Sequence, residues 1–349
     1  MSTGRESDRK HAPVFVMGCH RSGTNLIYDM LLSAGGFTVH RGYLPVYKKF
    51  IPRFGSMESR ANREKIYATW LRSKGYRRYG LDPAPLAARV LNECRTGGDF
   101  IRAVMETLTE NQQTQRWTLY DPDNVMHVEE VKRDIPNAIF LHMIRDGRDI
   151  ALSLKKMKGF SPLPWDRGKT NSLVATAVYW EWMINQGRTR GSKFPADYIE
   201  IRYEDLVTNP RETLQTLGGF IDHDLDYDRI QNAGLGTLSK SNSSFRNEPT
   251  PKEEVKPLGR WKQSLTPEEV GAIEATVGDC LRENGYELTQ PAAERRRSLR
   301  QSWMRQLYPV FFDAKLWLKA RTPLGRLADL STLELQEEPA QSPMVPENR

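Results

Sequence analysis

The stretch VFVMGCHRSGTNLIYDML, residues 14 to 31, limits what this chain can fold into more than any other segment. VFVMG is a short apolar run that reads as a buried strand, and Leu26, Ile27, Met30 and Leu31 then recur at helical spacing until Gly35-Gly36 stops the helix. Between the two lies Gly18-x4-Gly23, with Arg21 and Ser22 inside it. A strand that turns through glycine directly into a helix points backbone N–H groups and the positive end of the helix dipole at one spot, where an anion is stabilised.

The two residues after the second glycine decide which anion. A nucleoside triphosphatase loop carries Lys and then Ser or Thr there, to reach the terminal phosphates and to bind Mg²⁺. Here Thr24 and Asn25 follow Gly23. Losing both groups argues against a triphosphatase or a kinase. What remains is the backbone cradle, the hydroxyls of Ser22 and Thr24, and the Arg21 guanidinium, a set suited to a compact anion with tetrahedral oxygens such as a 5′-phosphosulfate. The plainer reading is a pair of glycines that merely permit a tight turn.

The same grammar returns at AIFLHMIRDGRDIALSL, residues 138 to 154: apolar strand, charged turn, helix. Arg145 stands at the strand end and Ser153 one to two helical turns further on, so guanidinium and hydroxyl are placed to share one phosphate, with Arg148 adding positive potential. Against this stands a simple ion-pair cluster, Arg145 with Asp149 or Asp146 with Arg148. Further strands are expected at FTVH (37–40), WTLYD (117–121) and YIEIRY (198–203), with helices between. Residues 50 to about 116 read as a helical insertion with stripes at Ile66, Trp70, Leu71 and at Ile101, Val104, Met105, Leu108, the latter behind an Asp99 cap. Asn209-Pro210 and Thr266-Pro267, each with Glu three residues past the cap, announce two later helices, the second ending at Asn284-Gly285. The expected fold class is α/β: a three-layer, doubly wound, mostly parallel sheet, in which ligands lie beyond the carboxyl ends of the strands.

Taken together these pieces resemble the sulfotransferases that use 3′-phosphoadenosine 5′-phosphosulfate (PAPS), nearer the bacterial and tyrosylprotein-type members than the cytosolic phenol type. The family's R/K-S-G-T loop for the 5′-phosphosulfate is matched by Arg21, Ser22, Gly23 and Thr24, while Asn25 departs from the usual second Thr. Its Arg followed eight residues later by Ser, the 3′-phosphate element, is matched by Arg145 and Ser153, and its Y-E-x-L tyrosine on the adenosine side by Tyr203. SNSSFR (241–246) and GRWK (259–262) resemble the late loop that closes over the nucleotide, which adds Ser244, Arg246, Gly259 and Arg260. The likeness covers residues 14 to about 288 and implies PAPS as donor, PAP as product and no metal. The sulfuryl group would go to a hydroxyl or amine on a glycan, lipid, phenol or peptide.

The resemblance fails where catalysis is concerned. Tyr120-Asp121-Pro122-Asp123 stands where a K-T-P or K-T-H motif is expected, so the lysine on the bridging oxygen is absent and Arg21 is left to serve. FTVHRGY replaces the region holding a catalytic Glu, which makes His40 the first candidate base, with Asp121, Asp123 and His127 as rivals. A degenerate PAPS- or PAP-binding protein is therefore the main competing reading, and a P-loop small-molecule kinase the lesser one.

Composition adds boundaries. The chain has 349 residues and a formal charge of +7, compatible with anionic partners, yet shows no signature of the known nucleic-acid readers. Three scattered cysteines suit a reducing compartment, the N-terminus lacks an apolar signal core, and no run approaches the roughly 18 apolar residues of a membrane span, so a cytoplasmic location is expected. The expected divisions are a flexible stretch over 1–12, the main domain over 13–290, a basic amphipathic arm over 291–332 and a disordered tail over 333–349. Within that arm, residues 292–321 either pack back on the domain or contact a membrane surface or a partner.

Overall fold

A computed structural model describes residues 9–155, 157, 160, 172–233, 258–289, 291, 298–327 and 329–336. Two compact units emerge, one from the segment ending at Thr38 with Thr114–Trp317, the other from Val39–Gln113 with the residues from Leu318 on.

The first unit is built on four strands, β1 (Val14–Gly18), β2 (Thr118–Tyr120), β3 (Ile139–Ile144) and β4 (Tyr198–Arg202), all parallel in the order β2-β1-β3-β4. β1 and β3 are buried along their whole length, as their near-continuous apolar runs, broken only by His142, demand of central strands covered on both faces. Strand alternation sorts their side chains. Val14, Val16, Leu141 and Met143 join a core with Ile27 and Leu31 of α1 (Thr24–Ser33) and with Leu214 and Leu217 of the later helix Pro210–Ile221. Phe15 and Phe140 face the other way, ring to ring at 5.7 Å, toward the side covered by the helix Leu173–Gly191. This is the three-layer doubly wound arrangement expected from the sequence. The chain leaves β1 for β2 on one side and crosses back to β3 on the other, so the carboxyl ends of β1 and β3 form the point where strand order reverses.

Some local expectations change. FTVH is not a strand: Phe37 makes a single parallel bridge to Arg116, and Thr38 N donates to the Arg116 carbonyl at 2.7 Å, after which the chain leaves the sheet. Asn209 gives no side-chain cap, whereas Thr266 and Glu269 form the full reciprocal capping box and Gly285 takes the left-handed conformation after Asn284.

The second unit is helical, with Arg60–Leu71, Pro83–Asn92 and Gly97–Gln112 gathered around Trp70, which meets Phe100 edge to face at 5.4 Å. Ile66, Ile101, Val104, Met105 and Leu108 are all buried, as their spacing requires. The cap of the last helix is Thr96, with Asp99 returning the bond from the third position, so the acid is the box partner and not the cap. Among the described residues no helix is long and apolar enough to cross a membrane, and no cluster of His, Cys, Asp or Glu is arranged to hold a metal ion.

His142 on β3 is fully buried, and its Nδ1 lies 2.6 Å from the Tyr198 hydroxyl, which donates to Glu200 at 3.0 Å. Burial pushes its pKa down from 6.5 to about 4, outweighing the Glu200 carboxylate. Between those two values the unfolded chain takes up a proton that the native fold refuses. Stability is therefore unaffected above about pH 6.5 and falls as pH drops toward 4, by about 3 kcal/mol. We expect urea melts to show this slope, and His142→Gln to remove it whatever the variant's absolute stability. An unchanged slope in the variant would assign the pH dependence elsewhere.

Candidate functional site

The turn after β1 has the backbone that its residues imply. Gly18 has φ +151°, and a Cβ there would lie 2.5 Å from the Met143 carbonyl oxygen of β3. Gly23 has φ +95°, and a Cβ there would fall 2.2 Å from the Tyr203 ring. Both positions need glycine for close approach as well as for conformation. Arg21 itself adopts a positive φ of 75°, a strained setting for a long side chain of the kind found at ligand-binding turns. No side chain caps α1, so its first N–H groups face the turn. Ser22 is fully buried, and its Oγ has no hydrogen-bond partner among the described residues. A buried hydroxyl left this way costs about 1 to 3 kcal/mol, a cost that an oxyanion at the turn would offset.

The turn after β3 lies beside it because Gly18 and Met143 are in register. The two turns are one assembly. Arg21 Nε donates to Ser153 Oγ at 3.0 Å, and Arg145 reaches the Arg21 carbonyl at 3.5 Å. Arg145 lies over the Tyr203 ring, 4.2 Å from its centroid, and 3.5 Å from Asp149. Asp149 does a second thing: its two carboxylate oxygens accept from Gly259 N and Trp261 N, each at 3.0 Å. That pins the Gly259–Trp261 turn to the helix Gly147–Lys155 and brings Arg260 within electrostatic range of Arg21 and Tyr203.

Three guanidiniums, Arg21, Arg145 and Arg260, thus converge. Burial pulls the Arg21 pKa down, and the neighbouring Arg145 and Arg260 pull it further, opposed by Tyr120. Crowded like charges of this kind favour an anion among them. Tyr120 also bonds the Thr24 side chain, and burial raises its own pKa to about 12. Arg148 belongs to a different structure. It is almost fully buried, doubly bonded to Asp146, bonded to Glu274 at 2.7 Å and stacked on Trp261 at 3.8 Å. Burial lowers its pKa, but the two carboxylates more than reverse this; the charge is kept and is held by Asp146 and Glu274, out of reach of solvent. Both ion pairs of the plainer sequence reading are therefore present, and only Arg145 remains turned to the site.

Asn25 sits half-buried on the first turn of α1. Asp121 caps the short turn Pro122–Met126, accepting from Asp123 N at 3.1 Å. Asp123 is buried and lies 3.6 Å from His20 Nε2, a residue of the turn after β1 that the sequence reading passed over because its partner is 103 positions away. His127 lies 3.8 Å from Glu130. His40 belongs to the helical unit, stacked on Tyr79 at 5.1 Å. Ser244 and Arg246 lie outside the described residues.

Comparison with known proteins points one way. A family model described as "Sulfotransferase family" matches residues 13–227. Protein-tyrosine sulfotransferase A of Caenorhabditis elegans is 26% identical over 288 residues, 78% of this chain and 67% of that protein. A putative protein-tyrosine sulfotransferase of the same organism is 26% identical over 102 residues, 29% of this chain and 38% of that protein. The sulfotransferase domain from the curacin biosynthetic pathway superposes with a TM-score of 0.54 at 16% identity, covering 80% of this chain and 99% of the domain.

Gly23→Ala meets both the positive φ and the Tyr203 ring, and we expect it to destabilise the protein by about 1 to 3 kcal/mol in urea melts. Adding Tyr203→Leu should restore part of that loss by removing the ring while leaving the backbone strain. A Gly23→Ala protein that melts like wild type would mean that the turn relaxes freely.

Proposed function

Because the chain belongs to the sulfotransferase family, we propose that it moves a sulfuryl group from PAPS to a hydroxyl or amine of an acceptor by direct in-line transfer. The observation that carries this reading is the convergence of Arg21, Arg145 and Arg260 around an uncapped helix N-terminus and the buried, unpartnered Ser22 hydroxyl. Three guanidiniums, helix N–H groups and a buried hydroxyl on neighbouring turns fit a doubly anionic nucleotide.

In this proposal Ser22, Gly23, Thr24 and Asn25 hold the 5′-phosphosulfate through backbone N–H groups and hydroxyls. Arg145 and Ser153 take the 3′-phosphate, Tyr203 the adenosine side, and Gly259 and Arg260 close over it, with Ser244 and Arg246 assigned to the same closing loop. When bound, the donor supplies a sulfuryl group on a phosphate leaving group. Arg21 offsets charge that develops on the bridging oxygen, in place of the missing lysine. The acceptor O–H gives up its proton to a base as the new O–S bond forms. For that base we favour His20, which Asp123 is placed to orient and whose charge Asp123 would stabilise, with Asp121 a further rival and His40 the alternative from the helical unit. The three cysteines are free and buried, which supports a reducing compartment such as the cytoplasm. The acceptor class is a hydroxyl-bearing glycan, lipid, phenol or peptide.

Titration calorimetry with PAP should show binding to the wild type, weakened about 10- to 100-fold in Arg145→Ala and in Arg21→Ala, since each removes a charge-assisted contact. ATP with Mg²⁺ should not compete. With radiolabelled PAPS and a panel of the four acceptor types, label transfer should persist in EDTA. It should fall about 10²-fold in His20→Ala while PAP affinity holds. A loss seen in His40→Ala instead would move the base to the helical unit. Binding without transfer to any acceptor would leave a nucleotide-binding relative that has lost its chemistry, and no binding of PAP would end the proposal.

A further inference from the structure

The helix Leu299–Arg321 carries two apolar faces. Over the part that belongs to the first unit, up to Trp317, one face is fixed to the protein. Arg305 grips Glu181 with two bonds of 3.0 and 2.7 Å, and Asp313 accepts from Trp182 and Gln186 at 3.1 and 3.0 Å. Tyr308 is buried and stacks on Phe312, whose ring meets Trp182 at 5.2 Å. These contacts settle the helix's rotation. At about 100° per residue, the opposite side is then made of Leu299, Trp303, Leu307, Val310 and Trp317, within an arc of about 80°. All five are exposed, at 82%, 61%, 52%, 64% and 54%. Scattered exposed apolar residues mean little, but five large ones in a single stripe about 27 Å long, two of them tryptophan, mark a surface that meets something.

We propose that this stripe lies on an anionic lipid surface, with the helix parallel to the membrane plane. Charge decides between this and pairing with a second copy. In the sequence Arg295-Arg296-Arg297 stand one residue ahead of Leu299, and Lys315 and Arg321 lie in the last two turns of the helix. A symmetric antiparallel pair would set one cationic end against the other, and a parallel pair would set each against itself; both are like-charge contacts. An anionic bilayer complements both ends at once, while the tryptophans occupy the headgroup boundary that their amphipathic rings favour. The depth is that of a surface helix, since this segment is not apolar enough to span.

The test is co-sedimentation of the full-length protein with vesicles of phosphatidylcholine alone and with about 30 mol% phosphatidylglycerol. The wild type should pellet with the anionic vesicles, less with neutral ones, and less again when NaCl rises from about 0.1 to about 0.5 M. Trp303→Asp/Trp317→Asp should lower anionic-vesicle binding at least 10-fold. The milder Leu307→Ala/Val310→Ala should lower it measurably, with circular dichroism and PAP titration unchanged in both. Equal pelleting by wild type and both variants, or none by wild type, would overturn the proposal. So would a wild-type dimer that the Trp pair dissolves in the absence of any vesicle binding, which would assign the stripe to self-association. None of these readouts depends on sulfuryl transfer.

Discussion

The pairing of β1 with β3 is the constraint on which the candidate site depends. With Gly18 opposite Met143, the turns that follow both strands begin at the same height, and the close approach at Gly18 leaves no room for a side chain to hold them apart. Everything else at the site follows from that contact. Arg21 reaches Ser153 of the other turn, Arg145 reaches back to the Arg21 carbonyl, and the Tyr203 ring fits against Gly23 from the end of β4. The sheet is thus the device that brings cations together against their mutual repulsion, and the burial energy of its apolar strands is what holds them there.

Legibility in the sequence followed the range of the interaction. β1, β3 and their succeeding helices were readable because a buried parallel strand is a near-continuous apolar run and a helix repeats within two turns. The capping box at Thr266 was readable for the same local reason. FTVH looked like a strand because Phe37 and Val39 alternate with polar neighbours, but pairing needs a partner, and only Phe37 finds one. The Arg145 turn could not be resolved between ligand socket and ion-pair cluster, because the choice depends on Glu274, Trp261 and Gly259, all more than 100 residues away. His20 escaped for the same reason. The C-terminal segment reads as one amphipathic arm; that Tyr308 and Phe312 pack inward while Trp303, Leu307 and Val310 face out depends on Trp182 and Glu181, more than 120 residues earlier.

Two arginines three positions apart show how differently the fold sets neighbouring charges. Arg145 lies over the Tyr203 ring, with a carboxylate and the Arg21 carbonyl each at 3.5 Å. Arg148 has two carboxylates, a carbonyl and an indole, and is closed to solvent. Removing a partner from such a buried set leaves an uncompensated charge, which costs far more than the pair contributes.

That closure also involves residues far along the chain. Arg148 donates to the Glu287 carbonyl, and Glu274 accepts from both the amide and the hydroxyl of Thr289. The turn after β3 is therefore finished only by residues translated some 140 positions later. On a ribosome delivering the chain from its N-terminus, the sheet can assemble once β4 has emerged, but the buried pairing of Arg148 and Glu274 stays incomplete until Glu287 and Thr289 have cleared the exit tunnel. Closure of that turn is in this sense a late event of synthesis, later than the sheet that carries it.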